Sequence, residues 1–109
     1  MLAEAARVLG ERGYQVALAE ATTKLGGRIN MESALPGLSE WGRVRDYRVQ
    51  ALSQMSNVDI YKDSRLTAEQ ILEFGFEHVC IATGASWRSD GTGRSHYTPI
   101  EGYEHCAVL

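Results

Sequence analysis

Basic residues are scarce where a nucleic-acid binder would carry a surplus: eleven Lys and Arg against fourteen Asp and Glu leave a net charge of −3. That balance excludes an electrostatic footprint for nucleic acid or for an anionic membrane surface. Long apolar runs are missing too. No stretch approaches the ~18 apolar residues of a membrane span, and no charged, apolar, small-residue series of the signal-peptide kind occurs. The expected location is the cytoplasm. Only two cysteines are present, Cys80 and Cys106, with no C-x-x-C and no Cys/His cluster, so zinc and iron–sulfur ligation is excluded. Cys80 lies in the most apolar run and reads as a small core residue rather than a redox group. Cys106 is free to be exposed, and a bond between the two is not expected in a reducing compartment. The histidines, His78, His96 and His105, have no spacing suited to a metal or to a nucleophile–base pair. No catalytic residue is assigned.

What is present begins with "MLAEAARVLG", whose apolar positions Leu2, Ala5, Ala6 and Leu9 form the stripe of a helix with one buried face. Gly13 ends that helix, and "YQVALAE" is a short β-rich run that stops at Glu20. Helix, glycine turn, strand and acid in that order are the second half of a βαβ nucleotide-binding unit. The first half, a strand with its glycine-rich turn, is not in the sequence.

Further along, "ATTKLGGRINMESALPGL" has neither helical nor strand period and reads as a structured loop. The stretch from Ser39 to Met55 predicts the longest helix, with Trp41, Val44, Arg48, Ala51, Leu52 and Met55 on one side, Ser39 as N-cap and Glu40 in the first turn. Next come a short strand, "NVDIYKDS", and a short helix, "LTAEQILEFG". Thr67 with Gln70 three residues on matches a capping box, and Gly75 stands where a left-handed residue ends a helix. "HVCIATGA" predicts a second, fully apolar strand. The polar tail from Ser86 to Tyr103 is a loop, followed by "CAVL", a candidate start of a further strand. Apolar strands alternating with helices predict an α/β fold built on a parallel sheet covered on both faces. The length of 109 residues suits one domain, spanning 1–109.

Three stretches carry candidate chemistry. Glu20, at the end of a strand, is placed to accept hydrogen bonds from the two hydroxyls of an adenosine ribose; the alternative is a solvated surface glutamate. An acid there disfavours a 2′-phosphate and so favours ADP, NAD or FAD over NADP. Gly26 and Gly27 followed by Arg28 suit backbone that must approach a ligand, with a guanidinium to pair a phosphate; an ordinary turn is the alternative. Thr83 and Gly84 leave the carboxyl edge of a buried strand, where open parallel sheets bind ligands; a plain strand exit is the alternative. Arg43, Arg45 and Arg48 beside Asp46 read as a solvated, partly ion-paired helix face; an arginine that reaches a phosphate or another domain is the alternative.

The stretches "EAARVLGERGYQVALAEA", "KLGGRIN", "ALPGLSEWGRVRDYR" and "VCIATGASWRSDGT" closely resemble the C-terminal half of the trimethylamine, dimethylamine and histamine dehydrogenases, flavoproteins similar in turn to the bacterial dienoyl-CoA reductases. The likeness runs from about Ala3 to Pro99. It implies an FMN-bearing (β/α)8 barrel and a cysteine-ligated 4Fe-4S cluster elsewhere in the parent enzyme, and here part of the domain that holds ADP. On that resemblance Glu20 is the ribose acid, Gly26, Gly27 and Arg28 line the nucleotide site, and Thr83 and Gly84 lie near the phosphates. The family's phosphate-binding strand and glycine turn should precede Ala3, yet only Met1 and Leu2 stand there, Leu2 in place of the third glycine.

The lost strand would be central, between Gln15–Ala19 and His78–Ala82. Leaving its neighbours' backbone groups buried and unpaired costs on the order of 1–3 kcal/mol each, against a total stability of only ~5–15 kcal/mol. Three outcomes are open: the inner strands close on each other, a second copy supplies a strand and makes a homodimer, or the chain is a truncated piece of a longer polypeptide. "CAVL" is the local candidate to fill the slot. The expectation is a partial Rossmann-like domain of an amine-dehydrogenase-type oxidoreductase, inactive alone, holding ADP or FAD structurally but weakly or not at all in isolation. The alternative is a small interaction module that dimerises or docks through an open strand edge.

Overall fold

A computed structural model describes residues 2–107. Helix α1 covers Leu2–Glu11, strand β1 Val16–Ala19, helix α2 Ile29–Glu32, helix α3 Glu40–Ser53, strand β2 Val58–Tyr61 and helix α4 Ala68–Glu73, with a 3-10 turn at Tyr103–His105. The protein is an α/β unit whose small sheet has two parallel strands, paired from Val16 opposite Val58 to Ala19 opposite Tyr61.

Period-two alternation decides which face of that sheet is covered. Leu18 and Val58 are buried and Ile60 half-buried, whereas Asp59 and Tyr61 point to the exposed side. The buried face joins Ala3 and Ala6 of α1, Leu52 of α3 and Leu25 in one cluster, against which Val16, Val49 and Met55 pack. One face is therefore well covered, not two.

Local chemistry explains the helix ends. Gly13 takes φ +87°, and its N–H and that of Tyr14 close on the carbonyls of Gly10 and Leu9 at 3.0 and 3.1 Å, satisfying the last turn of α1. The Asn57 carboxamide donates to the carbonyls of Gly10 and Tyr14 at 2.9 and 2.7 Å, tying that helix end to the start of β2. Around α4 the capping box forms as expected: Thr67 accepts from the Gln70 N–H at 3.3 Å while Gln70 accepts from the Thr67 N–H at 2.9 Å.

Several expectations are corrected. Ser39 occupies the N-cap position of α3 with helical φ and ψ, so its hydroxyl makes no capping bond. Trp41 is exposed because the buried side of α3 runs instead through Gly42, Val49 and Leu52. The loop after β1 contains the short helix α2. "HVCIATGA" forms no strand: residues 78–87 take part in no backbone–backbone hydrogen bond among the described residues. Val79 and Ile81 are exposed, and Cys80 is exposed rather than in the core. A strand needs a ladder partner, and β1 pairs only with β2, so the two inner strands do not close on each other. Of "CAVL", Cys106 and Ala107 are not in a strand, and the last two residues lie outside the described range. The radius of gyration of 17.5 Å exceeds the about 13 Å of a compact domain of this size. No described helix is long and apolar enough to cross a membrane.

Candidate nucleotide site

Both strands end at the same edge, and the chain there is cross-braced. Glu20 donates its N–H to the Tyr61 carbonyl at 2.8 Å and accepts from the Ser64 N–H at 2.9 Å, while the Asp63 N–H reaches the Thr22 carbonyl at 3.0 Å. Asp63 adopts φ +50°, which turns the chain sharply at this point. The Glu20 main chain is thus fixed at the carboxyl end of the sheet, where a ribose-binding acid belongs. Its side chain is half-buried, and Oε1 accepts from the Thr22 N–H at 2.9 Å. The Thr22 hydroxyl lies 3.0 Å from both Glu20 Oε1 and the Lys24 carbonyl, and its single proton serves one of them at a time. Glu20 Oε2 accepts no hydrogen bond among the described residues, so an acceptor is left for an incoming hydroxyl.

The glycine pair sits on the same connection. Gly26 and Gly27 have φ +124° and +55°, left-handed conformations that glycine adopts without strain. Gly26 has a second requirement: a Cβ there would stand 2.9 Å from Arg45 Cδ and from Asn30 Oδ1. Arg45 donates to Asn30 Oδ1 at 2.7 Å, and the Asn30 amide reaches the Leu25 carbonyl at 3.3 Å. Arg45 from α3 therefore shapes the glycine turn from behind, a role that the reading of a solvated arginine face missed. Arg48 likewise turns inward, its Nε 2.6 Å from Glu4 of α1, while Arg43 remains exposed beside Glu40. Glu4 is also bonded by Arg7, whose guanidinium, with Arg48 beside it, holds the carboxyl down at about 2.

Arg28 is exposed, paired with Glu32 at 2.9 Å, and its guanidinium carbon lies 5.1 Å from the centre of the Trp87 ring. Thr83 and Gly84 lie on the exposed segment ahead of Trp87, with Gly84 at φ +75°. The structure thus groups Glu20, Gly26, Gly27 and Arg28 on the connection that follows β1. Thr83 and Gly84 stand apart from that group: they precede Trp87, which touches Arg28, and make no hydrogen bond to it among the described residues. Trp87 belongs to the stretch "VCIATGASWRSDGT" that carries the family resemblance, but the sequence assigns it no role, because its partner Arg28 lies far away along the chain.

Fold and edge geometry define a parallel α/β unit with its polar connections gathered at the carboxyl edge. Compared with known proteins, no family model matches the chain. It is 62% identical to histamine dehydrogenase from Rhizobium sp. 4-9, superimposing with a TM-score of 0.84 over 90% of this chain and 15% of that one. It is 51% identical to 6-hydroxypseudooxynicotine amine oxidase from Pseudomonas geniculata N1, with a TM-score of 0.86 over 94% of this chain and 15% of that one. It is 41% identical over 104 residues to dimethylamine dehydrogenase from Hyphomicrobium sp. (strain x), covering 91% of this chain and 14% of the relative. The chain belongs to the family of the dimethylamine and histamine dehydrogenases and related amine oxidases, and spans about one seventh of their length.

Proposed function

We propose that this chain supplies the ribose-binding half of an adenine-nucleotide site in an amine-dehydrogenase-type oxidoreductase, holding ADP or FAD structurally rather than carrying out the oxidation. The observation that carries this reading is the Glu20 carboxylate, braced at the carboxyl edge with Oε1 engaged by Thr22 and Oε2 open. A carboxylate so held offers acceptors to ribose hydroxyls, and it repels a 2′-phosphate. Behind it the Gly26–Gly27 turn, fixed by Arg45 and Asn30, gives close backbone approach, and Arg28 supplies a cation for the phosphates. The amine substrate, the FMN and the 4Fe-4S cluster that the family resemblance implies belong to the remainder of such an enzyme.

The backbone N–H groups that ordinarily cradle a pyrophosphate come from a glycine turn that residues 2–107 do not contain. Half a site predicts weak binding by the chain alone, of order 1 mM or about 4 kcal/mol. The test is titration of the chain with ADP, followed by heteronuclear NMR. Saturable shifts at Glu20, Thr22 and Gly27 that vanish in Glu20→Ala, with NADP weaker than ADP, support the reading. A flat response at 10-fold that concentration overturns it. The alternative of an interaction module rests on one observation, the unpaired apolar segment 78–82.

A further inference from the structure

The contact between Arg28 and Trp87 joins two stretches nearly sixty residues apart in sequence. Both side chains are largely exposed, with Arg28 at 57% and Trp87 at 66%. Core packing therefore does not bring them together. A guanidinium is planar and carries its five N–H donors at its edge, so a stacked arginine keeps those donors available. Here the guanidinium carbon lies 5.1 Å from the ring centre, Glu32 takes one edge nitrogen at 2.9 Å, and the other donors have no partner among the described residues.

We propose that Trp87 is a positioning residue for phosphate recognition: its ring holds the Arg28 guanidinium beside the Gly26–Gly27 turn, so that the edge donors meet the phosphates of a bound nucleoside diphosphate. The inference rests on the reading of the Glu20 edge as a ribose site, and it adds a recognition element for the charged end of the ligand. It also gives the 78–87 segment a part in the site that does not depend on its forming a strand. Lysine at position 28 would keep the charge but lose the stack and the planar fork.

The full chain is titrated with ADP and, separately, with adenosine, with affinities read from NMR shifts. Trp87→Ala weakens ADP binding by about two- to five-fold, the range expected of one exposed cation–π contact, and leaves adenosine binding unchanged. Trp87→Phe retains most of the ADP affinity, and Trp87→Ala has no further effect in the Arg28→Ala background. An equal loss for adenosine and ADP, or an equal loss with and without Arg28, overturns the proposal while Glu20-dependent ADP binding stands. Absence of Glu20-dependent ADP binding overturns the ribose reading and this proposal with it.

Discussion

Gly10 shows how a single side-chain hydrogen decides the packing of α1. A Cβ at this position would lie 2.6 Å from Met55 Sδ and 2.7 Å from Val58 Cγ2, so the helix approaches the β2 entry as closely as it does because nothing projects there. Helix propensity alone favours alanine over glycine. Overpacking reverses the sign, and Gly10→Ala is expected to destabilise the chain by about 1–3 kcal/mol, read from its urea midpoint. At Glu4 the same scale gives a pH dependence. Arg7, then Arg48, lower its folded value from 4.5 to about 2. The unfolded chain binds the proton more readily in that window. The contribution is therefore full above about 4.5 and is lost as pH falls toward 2. Glu4→Gln should flatten the acid limb of stability against pH, and an unchanged limb would show that the ion pairs across α1 and α3 contribute nothing.

Among the elements, α4 depends most on its ends. It has six residues, none of them buried. Its contacts beyond itself include Phe74, which lies edge-on to Tyr61 with ring centres 5.8 Å apart. A helix this short does not persist on propensity. Removing the cap with Thr67→Ala is expected to cost about 1 kcal/mol, seen as faster amide exchange at Ile71 and Phe74, with Thr67→Ser restoring protection. This helix was legible in the sequence because capping is local chemistry, and so were α1, β1 and β2, whose signals lie within ten or so residues. Glu20 and the Gly26–Gly27 turn were legible for the same reason. Arg45 behind Gly26 and Trp87 beside Arg28 were not, since each becomes visible only when α3 or the tail returns to the loop after β1. The apolar run at 78–82 has the composition of a strand, but pairing, which composition cannot supply, decides whether it becomes one.

At the scale of the whole molecule, that run is the feature from which behaviour in solution follows. Its backbone groups have no ladder partner within residues 2–107, and Val79 and Ile81 stand 52% and 76% exposed. Among the described residues the sheet is also open along the second edge of β1. An unpaired apolar edge pairs with whatever strand is offered, and in a solution of this chain the strand at hand is another copy. Light scattering should therefore show association that grows with concentration. Ile81→Lys is expected to suppress it, because a charged ammonium resists burial between paired strands, without altering the circular dichroism of the helices, which pack elsewhere. Association that survives Ile81→Lys would place the contact on the other exposed apolar group, Tyr61, Phe74 and Phe76. A monomer at every concentration would show that the edge is shielded by its own tail.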